Sequence, residues 1–101
     1  MRVYLVVKSF IPQNLVQEFD KWYHQEHLPE AKKAFNAISA FRGWSIDSTN
    51  VHHAYYQFKN QLKANEVLEG EALKKMIDIY DKKWSKKITR KREVIKITQK
   101  I

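Results

Sequence analysis

Glu26 and His27 stand side by side in Phe19-Asp20-Lys21-Trp22-Tyr23-His24-Gln25-Glu26-His27-Leu28-Pro29-Glu30, where the side chains able to do chemistry are densest. An acid next to an imidazole can form a tuned pair for general acid–base work. Stepping ~100° per residue from Leu15, the centre of an apolar stripe with Val16, Phe19, Trp22 and Tyr23, brings Glu26 within ~20° of that centre. His27 then falls at the stripe's edge, near Val16 and Tyr23, and His24 on the opposite side. A carboxylate on an apolar face is costly unless paired or hydrogen-bonded. Two readings follow: His27 moves a proton while Glu26 or Tyr23 orients it, or Glu26 bonds backbone freed by Pro29 and His27 bonds a carbonyl. His24 and His27 do not make a metal site. They are three residues apart with diverging rings, whereas zinc-protease helices place two His four apart on one face.

Two strands offer further candidates. Arg42 and Trp44 share one face of the second, alternating with Phe41 and Gly43. Arg beside Trp can hold an anionic or planar ligand; alternatively Trp44 is core and Arg42 its rim. His53, Tyr55 and Gln57 share one face of the third strand, either lining a pocket or forming ordinary hairpin surface. Gly43 and Gly70 stand alone, so there is no phosphate-binding loop, and spacing defines no Ser-His-Asp set.

These residues need elements to position them. Val3 to Val7 is a β-rich run closed by Lys8-Ser9. Pro12 suits the first turn of a helix, and Pro29 should end or kink it, with Ala31, Ala34 and Phe35 able to add one more turn. Ile38–Thr49 and His52–Lys59 are expected as a hairpin turning near Asn50. Asn60 can cap a helix, Gly70 can break it, and Leu73, Met76, Ile77, Tyr80 and Trp84 make the clearest helical stripe in the chain. Glu93–Gln99 is expected as the last strand. The order β-α-β-β-α-β is the ferredoxin-like arrangement, an α+β fold with two helices on one face of a four-stranded antiparallel sheet. Tyr4 and Val6 leave the first strand apolar on its second face too, and the third carries aromatics on both. Such strands should be covered on both sides. No element remains to cover the second face, so a homodimer joined through the sheets is expected.

The 101 residues suit one domain, spanning 1–101. With no cysteine, disulfides, thiolate metal sites and cysteine nucleophiles are excluded. No apolar run approaches the ~20 residues of a membrane span. The opening apolar run is short and lacks a cleavage site, so no signal peptide is expected. A cytoplasmic protein follows. The net charge of +8 is uneven: residues 59–101 hold thirteen Lys/Arg against six Asp/Glu, and Lys82 to Arg92 holds seven basic residues and no acid. Such a run can attract phosphate backbones, yet no nucleic-acid motif accompanies it, and a solvated lysine face explains it. Near its end Arg90 and Arg92 share a face, with Glu93 on the other, as at an ion-paired start of a strand.

Phe19-x-x-Trp22-Tyr23-x-x-Glu26-His27-Leu28-Pro29-Glu30 resembles the helix-one signature of small bacterial dimeric α+β barrel proteins of the EthD-like kind. Trp84 with Thr89-Arg90-x-Arg92-Glu93-Val94 is similar to their closing segment. The resemblance implies a ferredoxin-like protomer, dimerised through its sheets, with a pocket between helix and sheet in which His27 is a candidate. Asn36-Ala37 stands where relatives often carry Pro-Gly. Together these readings predict a protein that binds a small apolar or aromatic ligand, with Trp22, Tyr23, His27, Trp44, His53 and Tyr55 lining the pocket, Arg42 beside it and no cofactor. Catalysis would be cofactor-free acid–base chemistry on an aromatic or polyketide-like compound. The alternatives are an oxygenase of the α+β barrel type, and a non-catalytic interaction protein using Lys82 to Arg92.

Overall fold

A computed structural model describes residues 2–84 and 86–101. It contains one four-stranded antiparallel sheet in the order β2-β3-β1-β4, built from β1 (Val3–Phe10), β2 (Ser39–Trp44), β3 (Val51–Phe58) and β4 (Thr89–Lys96). Helices α1 (Val16–Trp22), α2 (Leu28–Phe35), α3 (Gln61–Leu68) and α4 (Glu71–Trp84) cover one face. This is the ferredoxin-like α+β arrangement, with each expected helix divided in two.

The first division decides the site. Pro29 does not end the helix. Residues Tyr23–His27 form a π turn, in which the Leu28 N–H reaches back five residues to the Tyr23 carbonyl, and α2 then runs on to Phe35. Proline lacks an N–H and its ring crowds the carbonyl four residues earlier; placed early in α2, after the widened turn, Pro29 fits a helix that continues. Asn36 closes α2 in the left-handed conformation at φ 51°, a position that Asn tolerates better than most residues. The second division falls at Gly70, where an added Cβ would lie 2.8 Å from the Glu66 carbonyl oxygen. Asn60 caps α3, its Oδ1 accepting from the Lys63 N–H at 3.0 Å.

Strand faces follow the alternation seen in the sequence. Val3, Leu5, Val7 and Ser9 of β1 and Ala54, Tyr56 and Phe58 of β3 are buried under the helices. Tyr4 and Val6, and His53 and Tyr55, point the other way. Two boundaries differ from expectation. β2 stops at Trp44, and residues 45–50 form the turn, Asn50 taking φ 58°. β4 begins at Thr89 because its pairing with β1 runs from Phe10↔Thr89 to Val3↔Lys96. An edge strand rich in Lys and Arg is poorly marked by composition and is defined by its partner.

The core is aromatic. Phe19 is fully buried and its ring contacts those of Trp22, Tyr23, Trp44, His52, Tyr80 and Trp84, with centroids 5.1–6.2 Å away. The α4 stripe expected from Met76, Tyr80 and Trp84 supplies the facing wall. No helix among the described residues is long and apolar enough to cross a membrane.

Candidate functional site

The π turn sets the phase of the residues after it. Adding a residue to one helical turn moves His27 from the edge of the apolar stripe into the core, where it is 5% exposed. The same shift carries Glu26 into solvent. The expectation that Glu26 shares the buried face with Phe19 and Trp22 is therefore not met, because it assumed uniform α-helical steps through Pro29. His24 is exposed, on a different side from His27.

His27 faces a cavity of about 30 Å³ between the helices and the sheet. Its walls include Leu5 and Val7 from β1, Tyr23 from the π turn, Tyr56 from β3, Met76 and Tyr80 from α4, and Arg90 and Arg92 from β4. The His27 ring stacks on Trp22 and meets Tyr23 edge-on at 5.0 Å. Burial, reinforced by the positive charge of Arg90, lowers its pKa to about 4, so the imidazole is neutral at neutral pH. Its Nδ1 is buried without a hydrogen-bond partner among the described residues.

The tyrosines are held as phenols. Burial raises the Tyr23 pKa well above the ordinary value and that of Tyr56 to about 12. Their hydroxyl oxygens are 3.5 Å apart, long for an O–H···O bond, so both retain bonding capacity for a guest. The Tyr80 hydroxyl donates to Ser9 Oγ at 3.0 Å. Arg90 lies across the Tyr80 ring, 3.9 Å from its centroid, and pairs with Asp81 at 3.0 Å. The expected ion-paired start of the last strand is thus present, with Arg90 as its cation.

The other expected pocket residues divide into separate groups. Trp22 and Tyr23 stay with His27. Arg42 and Trp44 lie on the helix side but are committed elsewhere: Asp20 Oδ1 accepts from Arg42 Nη1 and from Trp44 Nε1, both at 2.7 Å. The Arg42 bond, then the Trp44 bond, hold the Asp20 carboxyl below its usual range. His52 Nε2 lies 3.3 Å from Arg42 Nη1, and burial followed by the Arg42 charge lowers its pKa to about 3. Arg42 is therefore a core-side ion-pair partner. His53 and Tyr55 lie on the opposite face of the sheet, so they do not share a pocket with His27. Tyr55 there stacks on Phe41 at 4.9 Å.

Several wall residues were not singled out in the sequence as pocket residues: Tyr56, Tyr80, Arg90 and Arg92. The usable signal was register, since Arg90 and Arg92 alternate onto the same face as Val94, which pairs with buried Leu5.

The fold and site together define a ferredoxin-like α+β fold with a buried imidazole between its helices and sheet. The structure is similar to an ethyl tert-butyl ether D (EthD) family protein from Bacillus halodurans, at 16% identity over 97% of this chain and 100% of that chain, with a TM-score of 0.76. It is also similar to SnoaB, a cofactor-independent oxygenase from Streptomyces nogalater (10% identity, 99% and 96% coverage, TM-score 0.67). A third likeness is to a NIPSNAP family protein from Agrobacterium tumefaciens (12% identity, 97% and 94% coverage, TM-score 0.63). At these identities the likeness is one of fold. No protein-family model matches the chain, and no curated protein does.

Proposed function

We propose that this chain, as a single cytoplasmic domain, binds a small aromatic or polyketide-like molecule in the cavity beside His27, works as a homodimer joined through its sheets, and moves a proton without a cofactor. The observation that carries this reading is the buried, neutral His27 with an unpartnered Nδ1 at a cavity walled by aromatic rings. Such a ring is costly to bury with a nitrogen unpaired, and a guest that bonds to it removes that cost. His27 is the proton acceptor, Trp22 fixes its plane, and Tyr23, rather than Glu26, is the phenol that orients it. The likeness to SnoaB adds nothing specific for an oxygenase, since it is a likeness of fold. Of the basic run, Arg90 turns inward to the cavity and Arg92 lies at its edge while staying exposed, so the run is not a uniformly outward basic surface.

The cavity is far smaller than the roughly 300–1,000 Å³ of sites that enclose drug-sized molecules. Binding must displace part of the wall, and the α4 side chains Leu73, Met76 and Ile77 are among the apolar helix residues in it. The test is native mass spectrometry for small molecules retained by wild-type protein and by His27→Phe. Phe keeps the stack on Trp22 and removes both nitrogens. Loss of the retained molecule with an unchanged melting temperature supports the reading. An unfolded variant, or equal retention by both proteins, removes His27 from the site.

A further inference from the structure

Arg90 and Arg92 sit two residues apart on the helix side of an edge strand and line the cavity together with His27. Among the described residues no Asp or Glu lines it. Arg90 is substantially used: Nη2 pairs with Asp81, and the guanidinium covers the Tyr80 ring. Yet its Nη1 is buried with no hydrogen-bond partner among the described residues. Arg92 is an exposed residue that reaches the edge of the cavity and forms no ion pair among the described residues; partial burial, then the charge of Arg90, lowers its pKa. A buried guanidinium N–H left without a partner costs stability, and an oxyanion in the cavity would satisfy it. A purely structural role accounts for Nη2 and the flat face of Arg90. It leaves Nη1 unpartnered at the cavity, with the Arg92 guanidinium at the cavity's edge.

We infer that the cavity takes a planar organic anion, a carboxylate or enolate carried by an aromatic molecule, whose oxygens accept from Arg90 Nη1 and from the Arg92 guanidinium. This rests on the small-ligand reading above and specifies the ligand's charge. The guanidinium fork matches a planar oxyanion, and charge-assisted bonds of this kind are the stronger class. The Tyr23 and Tyr56 hydroxyls, long-bonded to each other, supply neutral donors on the same walls. His27 faces the same space, which places a neutral base beside the bound anion.

Two isosteric probes separate charge from shape: 2-naphthoate and 2-naphthamide, titrated into wild-type protein and followed by amide chemical shifts. 2-Naphthoate should bind at least about tenfold more tightly. Arg92→Gln should remove most of that advantage, weakening 2-naphthoate several-fold more than 2-naphthamide. Arg90→Lys, which keeps the charge toward Asp81 but loses the fork, should act in the same direction; it guards against misfolding from a neutral replacement. Equal affinity for the two probes in the wild-type protein overturns the anion assignment while leaving a ligand pocket in place. So does an Arg92→Gln variant that weakens both probes equally. Binding of neither probe removes the pocket reading itself, and the anion assignment with it.

Discussion

The imidazole of His27 lies almost flat on the indole of Trp22, with ring centroids 4.4 Å apart and planes inclined by 17°. Trp22 is the last residue of α1 and His27 the last of the π turn, so the stack spans the irregular segment and fixes how its two ends face one another. Offset contact between rings is worth about 0.5–1.5 kcal/mol beyond the area buried. Here it also holds a titratable ring inside the core.

Keeping His27 neutral makes stability depend on pH. In the unfolded chain its pKa is near 6.5; in the fold it is about 4, and that of His52 about 3. Both folded values are depressed, so between roughly pH 6.5 and 3 the unfolded chain binds more protons and stability is lost as the pH falls. Above that window the two histidines contribute a constant amount. The part due to His27 is on the order of 3 kcal/mol when fully expressed. Urea unfolding measured from pH 7 to pH 4 should show a falling midpoint, and His27→Phe should flatten the fall. A flat profile in the wild-type protein contradicts the neutral buried ring.

Asp20 joins α1 to β2. One of its oxygens accepts from Arg42 and Trp44 together, and Arg42 in turn faces the buried His52. Asp20→Ala leaves a partly buried guanidinium beside an imidazole that cannot neutralise it. The expected loss is about 2 kcal/mol by chemical denaturation, with Asp20→Asn intermediate, since an amide oxygen still accepts but carries no charge. The lost ion pair makes Arg42 raise the cost of burial, so the double variant Asp20→Ala, Arg42→Ala should recover part of the loss.

How much of this is legible in the residues depends on what decides each feature. β1 and β3 are plain because their apolar residues alternate against fixed neighbours, and the α4 stripe is plain because Met76, Tyr80 and Trp84 all meet one core. The π turn is not, since every residue from Tyr23 to His27 suits an α-helix; only Pro29 hints at the extra residue, and it equally suits a helix end. Glu26 and His27 therefore exchange the places that uniform steps assign them. Arg42 on an inward face signals a buried partner, but that the partner is Asp20 follows from how α1 crosses β2. The division of Arg42, Trp44, His53 and Tyr55 among separate surfaces is likewise a matter of sheet face and packing. Arg90 and Arg92 become pocket residues only through the register that sets Ser9 against Arg90 and Val7 against Arg92.

Anion binding should take up a proton. Around His27 stand Tyr23 from its own turn, Tyr56 from β3, Tyr80 from α4, and Arg90 and Arg92 from β4. The phenols stay protonated, their pKa values raised by burial; Arg90 helps hold His27 near 4. An anion on the guanidinium groups offsets that charge and favours imidazolium, raising the His27 pKa. Affinity for 2-naphthoate should therefore increase as the pH falls from 7 to 5. Calorimetry in two buffers of different ionisation enthalpy should register uptake of a fraction of a proton, and His27→Phe should abolish it. Uptake that persists in that variant assigns the proton to another group.

The face of the sheet away from the helices carries the last prediction. Phe41 and Tyr55 stack there, Tyr4 meets Phe41 edge-on at 6.0 Å, and Val6 and Ile95 continue the apolar surface across β1 to β4. Phe41 is 47% exposed and Ile95 38% in the isolated chain, so the apolar surface reaches across the sheet from edge strand β2 to edge strand β4. Contiguous apolar surface of this kind marks a contact site. In a two-fold dimer each substitution enters the interface twice. Phe41→Glu should place two carboxylates in that interface and give a monomer by sedimentation velocity at micromolar concentration, where the wild-type protein should run as a dimer. Because Phe41 touches none of the helix-side core, the variant's circular dichroism spectrum should match that of the wild type. A wild-type protein that sediments only as a monomer removes the paired-sheet arrangement. A dimer that survives Phe41→Glu moves the interface to another surface.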